Sequence, residues 1–356
     1  MTITARVAGT MFLMVLVVGS SPAAAQVCGS CAVKLREEIR LGAREGPGAL
    51  GRYDAVVRTD SRGRYFVTWS NASSVLVFAP EGRYLRTLGR EGDGPGEFRR
   101  AFGIVLGRGD SLHVFDNGTN RLTVFDPELR IARMHNVVHS PGSKLIALED
   151  GHFVAALDIR TPERAGLPLH VFDAEGILVR SFGSTDRDFG PGFQQSPSRT
   201  LAAGANGLVW SAHIYRYEII GWDTTNRIRA RVRRNVAWFA PREDTPTRGR
   251  LTGPLPAIQK VWEARDGLLW VAISVADPDW RNAIHPDSRP GAIQVMSQFD
   301  YRDTVIEMLD RSGRLRGYAR VDGLVTGFLP GDRIVVAMED ADGYPYLSIL
   351  RPINPP

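Results

Sequence analysis

Seven histidines, at positions 113, 135, 139, 152, 170, 213 and 285, and the two cysteines Cys28 and Cys31 could in principle do metal, acid–base or nucleophilic chemistry. Their spacing narrows this quickly. His135 and His139 are four apart, but they fall in an inferred strand and the segment after it, not on one helix face. Cys28 and Cys31 are followed by Ala32, where a c-type haem site would need His. Two thiolates alone do not complete a tetrahedral zinc site. There is no G-x-S-x-G elbow, P-loop or Rossmann fingerprint. The glycine-rich stretch Gly92-Asp93-Gly94-Pro95-Gly96 precedes a strand and reads as a turn, not as a phosphate cradle. The one basic run, Arg227 to Arg234, alternates, with Arg227, Arg229, Arg231 and Arg233 on one side of a strand and Ile228, Ala230 and Val232 on the other. It reads as an outer strand blunted by charge against edge pairing, or alternatively as a patch for polyanions. No catalytic constellation emerges.

The elements that must position any site begin after an export signal. Arg6, the apolar run Met11 to Val18 and the A-x-A box Ala23-Ala24-Ala25 form a signal peptide over residues 1–25. The eight-residue run would reach only about 12 Å as helix, far short of a bilayer. Cleavage near Ala25 is expected to leave a soluble chain without a membrane span in the periplasm or outside the cell. In that oxidising setting Cys28 and Cys31, within the segment 26–35, are expected to form a disulfide. Of the 44 basic residues only Lys34, Lys144 and Lys260 are lysines, a skew that implies no nucleic-acid role. With 37 Gly and 22 Pro in 356 residues the chain is also a poor candidate for a helical bundle.

The remainder repeats. A Gly-led apolar strand, a second strand, a tight turn and an Arg-rich strand recur, the second strand and turn reading VFAPEGR from Val77, VFDPELR from Val124 and VFDAEGI from Val171. The leading glycines 63, 109, 151, 207, 267 and 331 recur at roughly the spacing of propeller blades, with insertions. Six repeats predict an all-β, six-bladed propeller of four-stranded antiparallel blades over residues 36–356. The last repeat lacks an outer strand and the N-terminal segment around Glu37 to Leu41 has one to spare, so that strand closes the ring.

The stretch Gly92 to Phe98, followed by Leu112, Val114, Asp116, Arg121, Val124, Phe125 and Asp126, resembles the NHL-repeat, six-bladed β-propeller group of the TolB-like superfamily, most clearly over residues 77 to 183. The resemblance implies a secreted propeller. Some members of that superfamily are lactonases with an axial Ca²⁺ or Zn²⁺, and others are metal-dependent lyases. The Gly-led strands here end in Asp116, Asp158, His213 and Glu339 on four of the repeats, so these residues could ring the channel mouth around one divalent ion. They could equally hold turns or pair with Arg, as Asp116 with Arg121. The preferred expectation is a monomeric binding or scaffolding module without a cofactor, for a protein or carbohydrate ligand in the cell envelope. A metal-dependent hydrolase or lyase is the alternative. The long insertions, 159–168, 274–300, 184–198 and 237–256, all fall on one face, opposite the short turns. Binding is therefore expected on that face, at Asp116, His213, Tyr215, Arg216, Trp280 and Arg281.

Overall fold

The computed structural model describes residues 31–159, 161–164, 166–183, 199–239, 253–289 and 293–353. The expected signal peptide, Cys28 with its bridge to Cys31, the 184–198 loop and residues 240–252 of the 237–256 loop lie outside the described residues.

Among the described residues, 24 strands form six antiparallel sheets of four. Strand β1 (Lys34–Leu41) comes first, and then the blades follow in chain order. Blade 1 holds β2 to β5 (Val56–Thr59, Tyr65–Thr68, Val75–Phe78, Tyr84–Leu88). Blade 2 holds β6 to β9 (Gly103–Leu106, Leu112–Asp116, Arg121–Phe125, Ile131–Asn136), and blade 3 holds β10 to β13 (Leu145–Ala147, Phe153–Ala156, Leu169–Phe172, Leu178–Phe182). Blade 4 holds β14 to β17 (Arg199–Ala203, Val209–His213, Glu218–Trp222, Ile228–Arg233). Blade 5 holds β18 to β21 (Ala257–Glu263, Leu269–Ala276, Arg302–Leu309, Leu315–Val321). Blade 6 is built from β22, β23 and β24 (Leu324–Leu329, Arg333–Glu339, Pro345–Ile353) and is completed on its outer edge by β1, in the order β1-β24-β23-β22. Lys34 pairs with Ile353 and Leu41 with Leu347, so the N-terminal strand closes the ring as expected.

The core is divided into six apolar clusters, one at each blade–blade interface. The two middle strands of a blade are covered on both faces, which is why Val75–Phe78 and Leu112–Asp116 are buried throughout rather than alternately. The recurrent Asp at the end of the third strand has a local reason. Its carboxylate accepts N–H groups of the turn, from Glu175 and Ile177 at Asp173 and from Ser312 and Arg314 at Asp310. The third residue beyond it then adopts a positive φ, 77° at Gly176 and 83° at Gly313, which glycine adopts without strain.

The Gly-led strands are the second strands of their blades, not the innermost. The innermost are β2, β6, β10, β14, β18 and β22, each packed against the next around the axis. These short strands line the channel. The Arg run forms the outer strand β17, where Arg231 and Arg233 pair with Glu218 and Arg229 lies 4.0 Å from Asp223. No helix among the described residues is long and apolar enough to cross a membrane.

Candidate functional site

Of the six residues expected to bind ligand, Tyr215 lines a cavity at the loop-rich mouth. Asp116, fully buried at the end of β7, accepts the backbone N–H groups of Arg99, Arg100 and Gly118 and the Thr119 hydroxyl at 2.8–2.9 Å. Burial pushes its carboxyl up, but these four donors outweigh that and hold it below the usual carboxylate range. Arg121, its expected partner, instead donates to the carbonyls of Asp93, Gly94 and Glu97. Asp116 and Arg121 together pin the loop from blade 1 onto blade 2. His213, at the end of β15, accepts the Tyr215 N–H on Nδ1 at 3.1 Å. Burial first, then Arg199, Arg216 and Lys144, pull its imidazole down to about 4, so it is neutral at neutral pH. Arg216 donates its backbone N–H to the His213 carbonyl in the same turn. Trp280 meets Tyr301 edge-on at 6.2 Å and carries the Arg281 guanidinium 4.5 Å above its ring. These two belong to a loop folded on itself by the Ile284–Val295 bridge.

Asp116, Asp158, His213 and Glu339 sit on four different blades and, among the described residues, do not bring ligand atoms together for one ion. With both oxygens of Asp116 engaged by the chain's own donors, this set does not fit the axial metal that the resemblance implied. The carboxylates that do converge are Asp277, Asp303 and Asp322, in blade 5, with one oxygen each within 4.8 Å of the others. Arg320 already binds Asp303 there, at 2.6 Å. Burial, opposed by Arg320 and aided by the other two acids, raises Asp303 to about 6.

Two cavities lie on the axis. One, of about 370 Å³, opens on the loop-rich face and is lined by Tyr53, Phe102, Tyr215, Gln298 and Arg302 among others. A second, of about 430 Å³, runs down the channel past Arg58, Lys144, Lys260, Thr200 and Trp262. They share Val56, Ser143, Ile214, Gln259, Lys260 and Thr326, so the two are continuous. The junction is shaped by two strand irregularities. In β18 the register shifts between Ile258 and Lys260, and in β22 between Val325 and Gly327. A bulge breaks the alternation of a strand and re-aims a side chain. Here Ile258 stays in the core while Gln259 and Lys260, consecutive residues, both face the channel, as does Thr326. Arg58, on β2, spans from blade 1 to blade 3, donating to the Leu145 carbonyl at 2.9 Å.

Sequence reading missed this group. A signal was present, since two of only three lysines, Lys144 and Lys260, meet in the channel of a chain that otherwise uses Arg. The opposite face, which carries the short turns, also has a cavity. It measures about 390 Å³ and lies between blades 2 and 3, lined by Arg108, His113, Arg133, His152 and Glu175.

The family model described as 6-bladed beta-propeller, DUF5128, matches residues 50–239. No curated protein matches the sequence. A DUF4221-family protein from Bacteroides vulgatus superposes with a TM-score of 0.62 at 12% identity, over 91% of this chain and 99% of its own. A candidate exported protein from Bacteroides fragilis gives 0.55 at 11% identity, over 89% and 95%. A gluconolactonase from Xanthomonas campestris gives 0.47 at 14% identity, over 89% and 99%, too distant to inform the chemistry here. The first two likenesses show the fold.

Proposed function

The chain belongs to the six-bladed β-propeller family DUF5128, and on that footing we propose that it is an NHL-type, extracytoplasmic binding module whose ligand docks at the loop-rich mouth of the channel. One observation carries the reading. The mouth cavity presents aromatic surface from Tyr53, Phe102 and Tyr215 beside the amide of Gln298, and it continues inward into the channel. A concavity that combines apolar walls with convergent polar groups is the usual form of a small-ligand site. The aromatic and amide groups suit a carbohydrate or a peptide side chain.

The test is thermal-shift screening of carbohydrates and peptides against wild type, Tyr215→Ala, Gln298→Ala and, on the opposite face, Glu128→Ala. Ligands that raise Tm in wild type and in Glu128→Ala but not in the two mouth variants support the reading. Ligands that act equally on all four proteins place the site elsewhere.

A further inference from the structure

Arg58, Lys144 and Lys260 line the channel cavity, and none of its lining residues is an Asp or Glu. Among the described residues Lys260 has no ion-pair partner. Arg58 spends its guanidinium on two neutral carbonyls, those of Val57 and Leu145, both at 2.9 Å. Buried charges are ordinarily paired, because taking an ammonium or guanidinium out of water without an anion is costly. Elsewhere among the described residues, cations with little exposure do find carboxylates. Arg234 is 2.9 Å from Glu307, and Arg64 is 2.7 Å from Asp60. Lys260 lacks such a carboxylate among the described residues, and the β18 bulge is what turns it toward the channel.

We propose that the channel junction binds the anionic group of a small organic ligand, a carboxylate or a phosphate ester, between Lys260 and Arg58, with Gln259 and Thr326 as hydrogen-bonding neighbours. The inference rests on the mouth being the ligand's entrance, and it adds the charge that the ligand carries. Anions are held here by a point charge and a fixed guanidinium, both with ordinary preference for carboxylate and phosphate oxygens. The groups that face Lys260 are Arg58 on β2 and Lys144 just before β10, both cationic, with Asp54 and Arg302 farther out at the mouth. Burial, then Arg58 and Lys144, pull the Lys260 amine down to about 8, so a bound anion would find it charged at neutral pH and neutral in alkali.

The experiment is calorimetric titration of the full chain with citrate, inorganic phosphate and glucose, repeated on Lys260→Met and Tyr215→Ala. Citrate or phosphate should bind wild type, weaken at least tenfold in Lys260→Met, and bind more weakly at pH 9 than at pH 7, while Lys260→Met shows no such pH dependence for citrate. Citrate binding without phosphate binding assigns the pocket to carboxylates, and the reverse assigns it to phosphate. Absence of binding by both anions overturns the proposal, and so does binding that Lys260→Met leaves unchanged. Glucose binding that Tyr215→Ala abolishes and Lys260→Met does not touch would retain the mouth as the site and remove the anion from it. Anion binding that Lys260→Met weakens and Tyr215→Ala spares would retain the anion and remove the mouth.

Discussion

Asp116 and Lys260 are both charges carried on strands of the same ring, held on opposite terms. Asp116 is surrounded by four donors from its own chain and has no capacity left for a ligand. Lys260 looks into a cavity walled by other cations. The first charge fastens two blades together. The second leaves part of its interaction energy unused by the fold. Residue type does not tell framework from site at either position; only the surroundings do.

The framework side of this contrast should break hardest. Removing residues 31–42 takes β1 from the edge of blade 6 and exposes β24, so Tm should fall by at least about 10 °C, or cooperative unfolding should be lost. A melting curve that matches wild type would mean that closure contributes nothing. Next, Asp116→Ala leaves buried N–H groups without an acceptor and should cost about 3 kcal/mol or more in chemical denaturation. Asp116 has a folded-state value below its unfolded one, so its contribution is present above the unfolded pKa and is lost as pH falls through the folded value. The gap between wild type and Asp116→Asn should therefore close toward pH 2 and be full at pH 6.

On the channel side the sign reverses. Lys260→Met removes an uncompensated cation and should stabilise the ligand-free protein by about 1–2 kcal/mol at pH 7, after discounting for partial solvent screening. The Lys260 amine is depressed to about 8 from 10.5, so in that window the unfolded chain binds more protons and wild-type stability rises with pH. The advantage of Lys260→Met should shrink across the same window. A destabilised Lys260→Met at pH 7 would show that the lysine is fully satisfied. Smallest of all, Arg281→Ala, which removes an exposed cation stacked on Trp280, should move stability by less than about 0.5 kcal/mol.

The blades were legible because their turns are local. An Asp that binds N–H groups two and four residues on, followed by a glycine at positive φ, leaves its signature within seven residues, as at Asp310 to Arg314. The innermost strands were not, since β10 is only three residues long and a wall between core and channel has no clean period. Asp116 was singled out from type and position, but two of its donors lie 16 and 17 residues upstream, a separation no motif encodes. Lys260 was missed for a related reason. Alternation predicts one side of a strand for each residue, and the bulge at Gln259 cancels that rule just where the channel is furnished.

Ring closure by β1 also sets an order of events in time. Ser348 and Glu37, hydrogen-bonded across the seam, are 311 positions apart, and drawing such ends together costs about 5 kcal/mol of chain entropy. A chain that emerges from its N-terminus makes β1 before every other strand and can seat it only after β24 has appeared. The first strand made is therefore among the last to find its place, and an unpaired edge must be carried through the whole of synthesis and folding.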